Sequence, residues 1–87
     1  MPSEVQAVLE TLKTAKHVVG IKQLRKALRE GAAETVFVAE DADLHLTDPV
    51  REACAQAAIP VVSVPTMDEL GKACAIEVGA AVAAIIR

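Results

Sequence analysis

Tryptophan and tyrosine are absent from this 87-residue chain, and phenylalanine occurs once, at Phe37. That excludes one common way of holding nucleic acid, because RRM and OB modules stack bases on exposed rings and this sequence has no such platform. Cysteine is also scarce. Cys54 and Cys74 lie in separate apolar segments with no His beside them, which fits neither a zinc site nor a disulfide framework and leads us to expect two buried thiols. The longest apolar run, Gly79 to Ile86, is far short of the ~20 residues that span a bilayer. No basic n-region or apolar h-region opens the chain. A cytoplasmic protein with no membrane partner is therefore expected.

One absence is regional. No acidic residue occurs between Glu10 and Glu30, whereas Lys13, Lys16, Lys22, Arg25, Lys26 and Arg29 all fall there, six of the nine basic side chains. A formal net charge of −3 argues mildly against a polyanionic partner. The local patch reverses that expectation, since it is the patch that a phosphate backbone meets. Ile21, Leu24, Ala27 and Leu28 recur at helical spacing, and Lys22, Arg25, Lys26 and Arg29 follow the i, i+3, i+4, i+7 pattern on a neighbouring stripe. Gly31 is placed for a left-handed C-terminal cap, and Arg29 complements the negative end of the helix dipole. Lys22 opposes the dipole at the other end. It would be more comfortable with an anion docked among the free N–H groups there.

At this length one domain, residues 1–87, is expected, with a core interleaved from Ala and Val. Ser3 and Gln6 have capping-box spacing before a first helix from about Glu4 to Thr14, and His17-Val18-Val19 reads as a short strand. The cationic helix follows over 21–30. Thr35 to Ala39 is an apolar run that suits a strand buried on both faces. Asp48-Pro49 reads as a helix start, with Asp48 as cap and Pro49 first in the helix, running to about Ala58. Val61 to Val64 is a second buried strand, Thr66 and Glu69 cap a helix from Met67 to about Ala75, and a last strand runs from about Ala81. Helices alternating with short buried strands predict a three-layer α/β/α sandwich around a four-stranded mixed sheet.

Few residues suit catalysis. Ser3 and Ser63 are the only serines, His17 and His45 the only histidines, and neither Ser lies in a nucleophile elbow. Gly20 and Gly31 are too far apart for a phosphate-binding loop. Glu40, Asp41 and Asp43 end a strand where α/β proteins place ligands, but the chain is too short for a receiver domain, and loop capping is the better reading of these carboxylates. We expect no catalytic residue, no metal site and no cofactor.

Gly20-Ile21-Lys22-Gln23-Leu24-Arg25-Lys26 is followed by Phe37-Val38-Ala39-Glu40-Asp41-Ala42-Asp43, then Ile59-Pro60-Val61 and Leu70-Gly71-Lys72-Ala73-Cys74. In this order and spacing, from about Thr14 to Arg87, the chain resembles the ribosomal L7Ae/L30e family of kink-turn RNA binders, in its small bacterial YbxF-type branch. The resemblance implies a non-catalytic protein that stabilises a sharply bent RNA with tandem sheared G·A pairs. It also implies contact through the N-terminus of the second helix and the loop before the last strand. The family's Gly-x-Asn-Glu-x-x-Lys segment falls on Gly20, Lys22, Gln23 and Lys26, with Ile21 inside it and Arg29 one turn on as a phosphate contact. Lys22 and Gln23 replace the Asn and Glu of archaeal and eukaryotic relatives. Gln23 retains an acceptor and two donors for base edges, whereas Lys22 only donates. A further family contact falls at Asp43, and the loop that covers an extruded nucleotide falls at Ala75, Ile76, Glu77 and Val78. Met67 stands where many relatives carry Lys. The implied partner is RNA, with the ribosome as a candidate assembly, bound by a monomer. The alternative is a protein-interaction module whose basic helix meets an acidic partner in a ribosome-associated complex.

Overall fold

The computed structural model describes residues 4–87, with side chains from Leu9 onward. The capping box expected at Ser3 and Gln6 lies outside the described side chains. Four helices alternate with four strands: α1 (Glu4–Thr14), β1 (His17–Val19), α2 (Ile21–Arg29), β2 (Ala33–Ala39), α3 (Leu44–Gln56), β3 (Val61–Val64), α4 (Met67–Ala73) and β4 (Val82–Ile86). The sheet order is β1-β4-β2-β3. β2 and β3 run parallel, while β4 is antiparallel to both β1 and β2, so β1, β2 and β3 share one direction. The one parallel pair, β2 and β3, is joined through α3, as parallel strands require.

Alternation along the two central strands builds the layers. Phe37 and Ala39 of β2, with Ala83 and Ile85 of β4, face a core completed by Leu12 of α1 and by Leu70 and Ala73 of α4. Val36, Val38, Val82 and Ala84 point the other way, onto Leu24 and Ala27 of α2 and Val50 and Cys54 of α3. Cys54 and Cys74 are both buried and unpaired, and burial pushes both thiols above their ordinary pKa. This is the three-layer α/β/α sandwich with a mixed sheet.

Several boundaries differ from the sequence reading. β2 starts at Ala33, with an irregularity between Ala33 and Thr35, β4 starts at Val82, and α2, α3 and α4 end at Arg29, Gln56 and Ala73. The larger correction is at α3, which starts at Leu44 with Asp43 as its cap, not at Asp48-Pro49. Pro49 lies inside the helix, in its second turn, where it removes the bond to the carbonyl of His45 and its ring crowds that carbonyl, on a face where His45 and Pro49 are both exposed. Packing of Thr47, Val50 and Cys54, all buried at helical spacing, carries the helix back through that position.

Candidate nucleic-acid interface

The C-terminal ends of β1, β2 and β3 and the N-terminal end of β4 lie on one edge of the sheet. The N-termini of α2, α3 and α4 and the loop preceding β4 therefore gather there. Backbone bonds fix the gathering: the Gly20 N–H donates to the Val82 carbonyl at 3.1 Å, and the Ala39 N–H donates to the Ala81 carbonyl at 2.9 Å.

These helix N-termini are satisfied differently. Asp43 Oδ1 accepts the His45 N–H at 2.8 Å at the start of α3. Thr66 Oγ1 accepts the Glu69 N–H at 3.1 Å in α4, and Asp41 Oδ1 accepts the Met67 N–H at 2.8 Å. Carboxylates and a hydroxyl are the usual partners of such orphan donors. α2 has neither a side-chain cap nor an acidic residue in its first turn. Its first intrahelical bond is Leu24 N–H to the Gly20 carbonyl at 3.0 Å, which leaves the amides of Ile21, Lys22 and Gln23 without helical acceptors. Gly20 supplies this start with φ 98° and ψ 158°, a region that is essentially glycine's alone.

Lys22, Gln23, Arg25, Lys26 and Arg29 are exposed along α2, while Ile21 is half-buried against the core. Among the described residues the ion pairs are Lys13 with Glu10 and Lys72 with Asp68, so none of the α2 cations is neutralised by a carboxylate. The far end of α2 closes with a Schellman motif: Gly31 takes φ 67°, its N–H donates to the Leu28 carbonyl, and the Ala32 N–H donates to the Ala27 carbonyl.

The loop before β4 is held by close backbone contact. A Cβ on Gly71 of α4 would overlap the Val78 carbonyl oxygen, and one on Gly79 would meet Met67 Cβ at 3.1 Å. The Ala80 N–H donates to the Met67 carbonyl at 3.0 Å. Ile76 packs against the α1/α4 core, whereas Glu77 is exposed and Val78 is 71% exposed. Ile76 and Val78, paired by the sequence reading, thus have different surroundings.

With these sites in position, the sequence pattern of the Ribosomal protein L7Ae/L30e/S12e/Gadd45 family matches residues 3–87. The chain belongs to this L7Ae family. It is 54% identical over 78 residues to an RNA-binding protein of Geobacillus sp. (strain WCH70), covering 90% of this chain and 95% of that one. Over the same coverage it is 50% identical to the RNA-binding protein YbxF of Geobacillus stearothermophilus. The large ribosomal subunit protein eL8 of Halobacterium salinarum is 38% identical over 96 residues, 99% of this chain and 77% of that one. Among solved structures, the Giardia lamblia 15.5kD RNA binding protein superposes with a TM-score of 0.86 at 28% identity, covering all of this chain and 78% of that one.

In this L7Ae-family chain the expected site residues divide into groups. Gly20, Ile21, Lys22 and Gln23 sit at the sheet edge that also carries the cap residue Asp43 and the loop of Ile76, Glu77 and Val78. Lys26 lies one turn down α2. Arg29 is at the opposite end, about 10 Å along the axis from Lys22 at 1.5 Å per residue. The sequence reading missed the supports of this edge. In sequence Asp41 offers only a loop-capping carboxylate with no partner in view, and Gly71 only a place in a motif. Asp43 meets an amide only two residues on, as a local cap does, whereas nothing local identifies Met67 as the partner of Asp41.

Proposed function

We propose that the chain is a non-catalytic RNA-binding protein that recognises and stabilises a kink-turn. The observation that carries this reading is the uncapped, acid-free N-terminus of α2, on the same sheet edge as the projecting loop of Glu77 and Val78. Free amides at a helix start favour an anion, and the unpaired cations of α2 supply phosphate affinity without choosing a sequence. Gln23 supplies discrimination through donors and an acceptor directed at base edges. Val78 covers a base turned out of its stack, since unpaired bases are what RNA readers without access to a deep groove address. The bent RNA is stabilised because these contacts exist only when both surfaces are engaged at once. Membership in a family with relatives named as RNA-binding proteins agrees with this reading.

Two substitutions compared across a salt series test it. Gln23→Ala is expected to cost about 1 to 3 kcal/mol and to blur discrimination between a kink-turn and a control lacking the G·A pairs, with the salt slope retained. Arg29→Ala is expected to make the slope shallower by about 1 with discrimination retained. Unchanged discrimination in the first variant would contradict the role given to Gln23.

A further inference from the structure

A groove of about 300 Å³ runs along the side of α2 away from its N-terminus, lined by Lys16, Val18, Gln23, Lys26, Glu30 and Arg87 with three further residues. Its walls are set by the ends of the sheet. The Ile86 N–H donates to the Lys16 carbonyl at 3.0 Å, and the Arg87 N–H donates to the Ala32 carbonyl at 2.9 Å. Lys16 and Arg87, 71 positions apart in sequence, are thus held by neighbouring ladder bonds at one end of the sheet. The other lining residues with polar side chains are Gln23 and Lys26 of α2 and its C-cap residue Glu30, spaced at i, i+3, i+7. The lining thus holds three cations, Lys16, Lys26 and Arg87, and one carboxylate side chain, Glu30, and among the described residues none of the three cations is ion-paired.

We propose that this groove receives the sugar–phosphate backbone of an RNA duplex arm as it leaves the kink, with Lys16 and Arg87 as phosphate contacts beyond the kink itself. The assignment rests on the kink-turn reading and extends it. Continuity selects the occupant, because Gln23 and Lys26 belong both to the proposed kink contact and to the groove wall. A strand that meets Gln23 and follows α2 toward its C-terminus runs into Lys16 and Arg87. A phosphodiester backbone needs only positive charge at intervals, which this lining offers.

The test uses two kink-turn RNAs that share the kink and the G·A pairs and differ only in arm length, one truncated close to the kink and the other extended by a full helical turn. The wild-type chain is expected to bind the extended RNA with a log K against log[salt] slope steeper by about 1 to 2 than for the truncated RNA. Lys16→Gln combined with Arg87→Gln is expected to abolish that difference, so that the wild-type advantage on the extended RNA shrinks about tenfold between about 50 and about 200 mM salt. Lys16→Arg combined with Arg87→Lys should restore it, and Lys72→Gln, on α4, should behave as wild type. Equal slopes for the wild type and the Gln double variant on the extended RNA overturn the groove assignment and leave the kink-turn reading intact. Failure of the wild type to prefer the truncated kink-turn over the same RNA without G·A pairs overturns that reading, and the groove with it.

Discussion

Asp41 Oδ1 accepts the backbone N–H of Met67 at 2.8 Å, across 26 residues of sequence. The bond ties the turn after β2 to the first helical residue of α4, and Met67 in turn accepts the Ala80 N–H and sits under Gly79. One carboxylate thereby supports both a helix start and the loop before β4. Asp41→Ala is expected to lower stability by about 1 kcal/mol, the usual worth of an N-terminal capping interaction, and to weaken RNA binding through the displaced loop. Asp41→Asn retains an acceptor oxygen and should restore most of both. Denaturant unfolding alongside RNA titration checks this; an Ala variant that is destabilised yet binds RNA normally would separate the cap from the loop.

Gly71 permits the closest backbone approach around the site. In Gly71→Ala the new methyl would overlap the Val78 carbonyl oxygen, which is backbone and can yield only if the loop moves. We expect a loss of about 1 to 3 kcal/mol in stability, in the range of overpacked sites, with amide shifts confined to α4 and residues 76–79. The α2 amides should keep their wild-type positions in an NMR spectrum. Shifts spread equally through α2 would contradict independent anchoring of the two halves of the site.

Ala58 and Ala75 both take positive φ, 56° and 61°, at the position where Gly31 closes α2. Each ends its helix in the same Schellman pattern, with the Ile59 N–H donating to the Cys54 carbonyl and the Ile76 N–H to the Gly71 carbonyl. A left-handed alanine costs about 1 kcal/mol that glycine avoids. Ala58→Gly and Ala75→Gly should each raise stability by several tenths to about 1 kcal/mol, net of the entropy that glycine adds to the unfolded chain, measured as a higher urea midpoint.

Cys54 and Cys74 have pKa values raised by burial. An aromatic disulfide reagent should react slowly with the folded chain and rapidly, at both thiols, in denaturant. The sign of the pH dependence follows from linkage. Because the folded state holds the thiol protons more tightly, their contribution is fully present below the ordinary thiol range and is lost as pH rises through the raised folded values. Replacing both cysteines with alanine should remove that part of the alkaline decline, read as unfolding midpoints from neutral to alkaline pH.

Much of this fold is legible locally. The bounds of β3, the start of α4 and the closure of α2 at Gly31 follow from short-range rules, since an apolar run, Thr66 before Glu69, and a glycine past the last helical turn each act within a few residues, although β3 is a half-buried edge strand and not the buried one expected. The start of α3 shows where such rules mislead. Asp48-Pro49 has the form of a helix start, but Asp43 with the stripe Thr47, Val50 and Cys54 governs, because burial outweighs one missing bond in a solvated turn. The α2 part of the site is likewise local, being a run of charges on one helix. Its other half depends on Asp41 meeting Met67 and on Gly71 meeting Val78, and the 26-residue separation of the first pair leaves no periodic trace in sequence.

The central claim is recognition of a bent RNA by the edge that joins α2 to the loop before β4. Isothermal titration of the full chain with a kink-turn RNA and with the same RNA lacking its tandem G·A pairs tests it most directly. Tight binding to the first, with a loss of at least about 2 kcal/mol on the second, is expected, since two or more base-edge contacts worth about 1 to 3 kcal/mol each are removed. Equal, weak binding to both RNAs would contradict it.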